Sequence, residues 1–307
     1  MNKTNQLYKK HHLFNATYLF LFFLALLTIP FFTGCTGSKQ SDESSFQVPQ
    51  ELTVTEEGEP IGITQLREKA VTGLDAAQLE LGLKYLDGED IDTNYKKAFQ
   101  CFNIASQSSD SDIRGSALFY MGACYEAGFG TLKDGNKAVE HYRKSAEEGC
   151  AKGKYGLASC YLNGSCGVSK NESLAFKYMK EAADQGVIGA IYSLGLMYYY
   201  GQGTKKDVGK SDELLALAAN NGYGPAQLLF GITYYNNNDF SNAVLWLKKA
   251  GAQKFSGVDV AYLYLGKCYE TGCGTYWNAN KEEARSWYEK AANMGNEDAK
   301  ICLGKMK

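Results

Sequence analysis

The stretch AYLYLGKCYETGCG, residues 261–274, and the stretch KEEARSWYEKAANMG after it, residues 281–295, decide how the rest of the 307-residue chain is read. The first piece carries a small residue (Ala261), an apolar residue four later (Leu265), a second small residue beside it (Gly266) and a tyrosine three further on (Tyr269). Side chains of an α-helix three and four positions apart share a face, so Ala261, Leu265 and Tyr269 predict one stripe of a helix. Gly272-Cys273-Gly274 then ends that helix and turns the chain. The second piece repeats the logic with Ala284, a small pair at Ala291-Ala292, and Trp287 between them as the residue expected to fill the gap between helices. Gly295 follows where a helix commonly ends in a left-handed residue that glycine adopts without steric cost.

The same phrase recurs along the chain. Its second small residue falls at Gly82, Gly122, Ala158, Gly195, Gly231, Gly266 and Gly304, separated by 40, 36, 37, 36, 35 and 38 residues. Self-similarity at such a period is the signature of a solenoid. The second half recurs in register: Ala98, Ala138, Ala175, Ser211, Ala243 and Ala284, each followed seven to eight residues later by a small pair. Tyr178 and Trp246 are the expected gap fillers of two other units, while Cys101 and His141 stand at that slot in the first two. Gly149, Gly186 and Gly222 match Gly295, with Lys254 a departure. The fifth unit replaces its loop glycines with Asn236-Asn237-Asn238-Asp239, residues that also tolerate turns.

The unit resembles the Sel-1-like repeat, a relative of the tetratricopeptide repeat. The resemblance covers residues 75–307, as six repeats and a lone terminal helix, and implies an all-α fold: an α/α solenoid of helix-turn-helix units coiled as a right-handed superhelix. It says little about function, because the motif's residues are packing residues.

The N-terminus carries a second signal. Lys3, Lys9 and Lys10 precede an apolar segment over residues 14–32, then Thr33-Gly34-Cys35. A basic start, a short apolar core and small residues at its end read as a secretory signal peptide. The closing cysteine makes it resemble the signal of bacterial lipoproteins, which implies lipidation of Cys35 and a location in the cell envelope, facing the periplasm or exposed at the surface. The alternative is an uncleaved N-terminal membrane anchor, since 19 residues approach the roughly 20 that span a bilayer. Residues 36–61, rich in Ser, Asp and Glu, read as a disordered polar linker. Residues 62–74 are a candidate capping helix.

Charge and missing motifs narrow the function. Without residues 1–35 the chain has 29 Lys and Arg against 34 Asp and Glu, a formal charge of −5. A mildly acidic protein with no basic patch is a poor partner for nucleic acid. His11 and His12 lie in the signal, leaving His141 in a helix packing slot. There is no His/Cys metal spacing, no Gly-x-Ser-x-Gly elbow and no Ser-x-x-Lys pair, so no catalytic residue, metal or cofactor is expected. Eight cysteines follow Cys35. Cys160 with Cys166, and Cys268 with Cys273, are candidate disulfides joining a helix end to its loop, which an oxidising compartment allows.

With the packing stripe taken as buried, the opposite side of the first helices is reached three, six and ten residues after the leading small residue. Tyr120, Leu196, Tyr200, Leu229, Ile232, Tyr264 and Lys267 fall there, as a candidate concave face for a protein or peptide partner. The reading is a membrane-tethered, non-enzymatic protein-interaction scaffold, regulatory or host-interacting as similar proteins are. The competing readings are a β-lactam-binding or hydrolysing enzyme, by resemblance to some cysteine-rich relatives, and a structural assembly factor of an envelope complex.

Overall fold

The computed structural model describes residues 61–88, 90–272 and 279–306. The signal ending at Cys35, the linker up to residue 60, and Cys273 lie outside the described residues. Among the described residues there are fourteen α-helices and no strand. α1 (Ile61–Val71) precedes six successive helix pairs: α2 (Asp75–Asp87) and α3 (Tyr95–Ala105), α4 (Ser111–Ala127) and α5 (Gly135–Glu147), α6 (Ala151–Asn163) and α7 (Glu172–Asp184), α8 (Ile188–Tyr200) and α9 (Val208–Asn220), α10 (Gly224–Asn236) and α11 (Phe240–Gly251), α12 (Val258–Thr271) and α13 (Lys281–Asn293). α14 (Glu297–Lys305) closes the series. The chain forms two compact units, which divide between Ser211 and Asp212.

Within each unit, consecutive helices pack on one another, and a first helix also touches the first helix of the next pair, as α4 does α6 and α10 does α12. In the first unit the core is built from Leu81, Tyr85, Cys101, Phe102 and Met121, and from Val139, Tyr142, Leu157 and Cys160. In the second it is built from Leu228, Leu247, Leu265 and Tyr288.

The small residue of the phrase is where a side chain of the second helix enters. A Cβ on Gly82 would stand 2.6 Å from the Phe102 ring, one on Gly122 2.7 Å from Tyr142, and one on Gly231 2.6 Å from Leu247; Gly266 meets Tyr288 in the same way. The gap fillers are therefore Phe102, Tyr142, Leu247 and Tyr288, with Met179 in the third pair, all 3% exposed or less. This corrects the assignment of the slot to Tyr178, Trp246 and Trp287. The buried stripe of the second helix runs at i, i+4 and i+7 from Ala98, Ala138, Ala175, Ala243 and Ala284, so the residue at i+3 falls on its flank. Tyr178, His141 and Trp287 are half-buried there, while Cys101 and Trp246 at the same position are buried, Trp246 with its ring 5.5 Å from that of Phe230. The first two units do not depart from the pattern, because Cys101 and His141 never held the slot.

Each hairpin is closed by one Asx residue. Asn94, Asp134, Asn171, Asp207, Asp239 and Asn280 each cap the second helix, their side-chain oxygen accepting from the backbone N–H three residues on at 3.0–3.2 Å. The backbone N–H of the same residue donates to the carbonyl of the tyrosine ending the first helix: Tyr85, Tyr125, Tyr161, Tyr198, Tyr234 or Tyr269, at 2.8–2.9 Å. Such caps contribute about 1 kcal/mol each, and here each also fixes the return of the chain. The loop glycines do a second job. Gly130 lies so near the backbone of Tyr95 and Lys96 in the preceding repeat that a Cβ there would overlap it, and Gly203 lies equally near Glu172. The asparagine loop uses Asn238 at φ +61° in place of a glycine.

Replacing Gly122 with alanine is expected to destabilise the first unit by about 1–3 kcal/mol, because the Tyr142 ring has no room to retreat. Urea unfolding followed by circular dichroism reads this, and an unchanged midpoint would show that the ring moves freely.

Candidate functional site

The tyrosines that end the first helices are not bare. Lys97 Nζ lies 5.3 Å from the ring centre of Tyr85, Lys137 5.3 Å from Tyr125, and Lys210 5.3 Å from Tyr198. Each lysine occupies the first turn of the second helix, where the helix dipole disfavours a cation. The π-face beneath it offsets that cost by about 0.5–1 kcal/mol at an exposed site.

Of the seven residues expected on a partner-binding face, the structure leaves four accessible. Tyr120 is half-buried; its ring stacks on Phe102 at 5.1 Å, and the exposed Lys152 both donates to its hydroxyl at 2.9 Å and lies 5.1 Å from its ring centre. Tyr264 is half-buried and meets Tyr235 edge-on at 5.1 Å, with Lys267 Nζ 4.7 Å from its ring centre. Tyr200 is half-buried against Tyr199, and burial pushes its hydroxyl up to about 12. Leu196, Leu229 and Ile232 are 7%, 4% and 8% exposed and belong to the core. The opposite side of an isolated helix is free, but a first helix within an array has neighbours on both flanks. α8 and α10, apolar nearly all round, bury eight and nine of their residues. Tyr120, Tyr264 and Lys267 at the equivalent positions remain half-exposed, while Tyr200 keeps its ring partly exposed and its hydroxyl buried.

A second cluster forms at the joint of the second and third repeats. The Tyr142 hydroxyl donates to Glu126 Oε2 at 2.7 Å, and the Glu126 carboxylate, Cys160 Sγ and Cys166 Sγ lie within 4.8 Å of one another. The two sulfurs are thiols 2.6 Å apart, with Cys160 the donor. That bond holds Cys160 well above the ordinary thiol range, with burial adding to it, and holds Cys166 below. Sequence reasoning linked the two cysteines but missed Glu126 and Tyr142. The signal was there: a glutamate directly follows the phrase's tyrosine only at Glu126 and Glu270, and those two repeats supply Tyr142 and Tyr288 to meet it. Tyr288 donates to Glu270 Oε2 at 2.6 Å, and burial, then that glutamate, hold its hydroxyl well above the ordinary tyrosine range. Cys268 is buried, and its expected partner Cys273 is outside the described residues. His141 lies 5.1 Å from the Tyr125 ring, and its Nδ1 donates to the Lys137 carbonyl at 2.8 Å.

The helix pairs, their glycine entries and their capped hairpins recur at the boundaries of a described repeat. A family model for the Sel1 repeat matches residues 75–110, 115–150, 151–187, 188–223, 229–255 and 259–296. The chain belongs to the Sel1 repeat family. It is similar to chitin synthase regulatory factor 3 of Schizosaccharomyces pombe, 27% identical over 68% of this chain and 23% of that protein. Among solved structures it is similar to a Sel1 repeat protein from Oxalobacter formigenes, with TM-score 0.57 and 29% identity over 72% of this chain and 86% of that one. It is also similar to c5321, a protective antigen present in uropathogenic Escherichia coli strains that displays an SLR fold, with TM-score 0.52 and 27% identity over 80% of this chain and 51% of that one. The chain spans 23–35% of the length of the first curated relatives it matches.

Replacing Tyr288 with phenylalanine keeps the ring that fills Gly266 and removes one hydrogen bond to a carboxylate. A loss of about 1.5–3 kcal/mol is expected in the second unit, read by denaturant unfolding with Trp287 fluorescence; no loss would mean water replaces the contact at no cost.

Proposed function

We propose that this Sel1 repeat protein is a non-enzymatic scaffold that binds a protein segment through tyrosine–lysine patches on its first helices. We propose also that lipid on Cys35 tethers it to a membrane of the bacterial cell envelope. The observation that carries the first part is the pairing of Tyr120 with Lys152 and of Tyr264 with Lys267, aromatic edges left half-open beside an ammonium group. Nearly every other residue of the repeat phrase is consumed by packing. An aromatic surface with a cation beside it suits a segment that presents an apolar side chain next to a carboxylate. Aromatic and cationic anchors are the residue types that dominate such interfaces. The regulatory naming of the yeast relative fits an adaptor that acts by holding another protein.

Two experiments test these parts separately. Crosslinking the full chain in native envelopes identifies the bound protein, and its affinity is then measured with the joint Tyr120→Ala, Tyr264→Ala and Lys267→Ala variant. A loss of at least about tenfold is expected, since hot-spot truncations cost about 2 kcal/mol or more, with helicity unchanged. Equal affinity would overturn the patch assignment. Cys35→Ser is expected to shift the chain from the membrane to the soluble fraction or to leave it unprocessed, and unaltered lipid labelling would defeat the tether.

A further inference from the structure

The joint between the second and third repeats holds a pair of sulfurs in a setting that packing alone does not require. Cys160 is fully buried near the end of α6, while Cys166 is half-exposed in the following loop at φ +56°. A non-glycine, non-Asx residue is strained in that region. The corresponding loops of the second and fourth repeats, Gly128-Phe129-Gly130 and Gly201-Gln202-Gly203, have one residue between their glycines, whereas this loop has two, Ser165 and Cys166. The extra residue turns its sulfur onto Cys160, 2.6 Å away. Non-bonded carbon atoms rest at about 3.5–4.0 Å, and sulfur is larger than carbon.

Cys166 is also held from outside. A Cβ on Gly135, the first residue of α5, would stand 2.7 Å from Cys166 Cα, and Gly167 lies hard against Asn136. The loop is therefore wedged against the N-terminus of the preceding repeat's second helix. This matters for choosing between a bond and an ion. Two thiolates on one tetrahedral zinc, at about 2.3 Å each, lie roughly 3.8 Å apart. Reaching that separation would require the wedged loop to open by more than an ångström, whereas closing a bond requires a smaller inward shift.

We propose that Cys160 and Cys166 are a redox pair that closes to a disulfide and locks the joint between the second and third repeats. The oxidant is a small-molecule or protein disulfide, RSSR. Cys166, as thiolate, attacks one sulfur of RSSR, forming Cys166–S–S–R and releasing RS⁻. The Cys160 sulfur then attacks the Cys166 sulfur, expelling the second RS⁻. The two thiol protons end on the released thiolates, and the Glu126 carboxylate, within 4.8 Å of both sulfurs, is placed to pass on the one from Cys160. The protein loses two electrons and RSSR gains them as two RSH.

The division of roles follows from the geometry. Cys166 is reachable by an oxidant, and its thiol is held below its ordinary value by the bond from Cys160, which suits the attacking sulfur. Cys160 is buried directly behind it as the resolving thiol. Cys101 and Cys124, also buried, have thiols pushed up to about 12 by burial and belong to the apolar core of the first repeats. They are expected to stay reduced. The inference does not use the tyrosine–lysine patches and stands or falls apart from them.

The test uses the full chain in buffers of graded reduced and oxidised glutathione, quenched by alkylation and read by peptide mass spectrometry. A Cys160–Cys166 crosslinked peptide is expected to accumulate while Cys101 and Cys124 stay thiols. Cys160→Ser, which removes the resolving sulfur, is expected to accumulate glutathione on Cys166. Hydrogen exchange of residues 133–137 and 163–168 should slow on oxidation by about tenfold or more, as local opening at the joint is suppressed. Independent alkylation of both cysteines at the oxidising end would overturn the pair. Stoichiometric binding of zinc alone that protects both thiols would overturn it in favour of an ion site. Oxidation without any change in exchange would overturn the lock.

Discussion

The ring of Tyr142 lies between two glycines, Gly122 on the first helix of its own repeat and Gly156 on the first helix of the next, and a Cβ on either would stand 2.7 Å from it. One side chain thus sets the distance between two helices of a pair and between two neighbouring pairs. Much of the first unit's arrangement depends on that contact. The ring is buried because both helices surrender their side chains to it, and dispersion over its faces is available only at such close approach. The hydroxyl, carried beyond the glycines, reaches Glu126 at 2.7 Å. Glu126 in turn is held beside Cys160 and Cys166. The reactive cluster is therefore a consequence of how the repeats stack, with no element added to the fold to build it.

The same economy explains where function is left to reside. A stacked helix pair spends Gly, Ala and one large residue of each helix on its neighbours, and spends an Asx side chain and backbone on its turn. What remains is the flank of each helix. Leucine and isoleucine on a flank are drawn into the core, as at Leu196, Leu229 and Ile232. Tyr120 and Tyr264 stay half-open beside a lysine, whereas Tyr85, Tyr199 and Tyr269, each also with a lysine over its ring, are buried.

Much of this was legible in the sequence. The period, the helix pairs and the left-handed glycines at 149, 186, 222 and 295 are local properties of the chain, set by spacing and by backbone sterics, and they appear with φ between +84° and +93°. The gap fillers stand one position beyond the large residues at Trp246 and Trp287, because the stripe from Ala243 and Ala284 runs through Leu247 and Tyr288. The Asx caps are harder to read, since a lone Asn or Asp in a loop is common and their distance from the tyrosine varies, nine or ten residues in the first four hairpins but five at Asp239 and eleven at Asn280. Glu126 was missed for a different reason. Its relation to Cys160 crosses a repeat boundary, and no spacing within one repeat encodes a contact between two.

The third-repeat loop shows what such a crossing contact can demand of the backbone. A glycine at position 166 would adopt φ +56° without strain, and a loop one residue shorter, as in the second and fourth repeats, would remove the position altogether. A cysteine there keeps a cost in backbone conformation that neither burial nor capping repays, since its side chain is half-exposed and makes no cap. What it does make is an approach to Cys160 closer than packing tolerates, in a loop wedged by Gly135 and Gly167 against the preceding repeat. Asp90 at φ +67° and Asn238 at φ +61° are also non-glycine residues in this region, but of types that tolerate it; a cysteine there, in a fold whose second and fourth repeats use glycine, is accounted for when the sulfur has chemistry to do. A bond between these sulfurs would convert a loop one residue longer than those of the second and fourth repeats into a locked joint of the first unit.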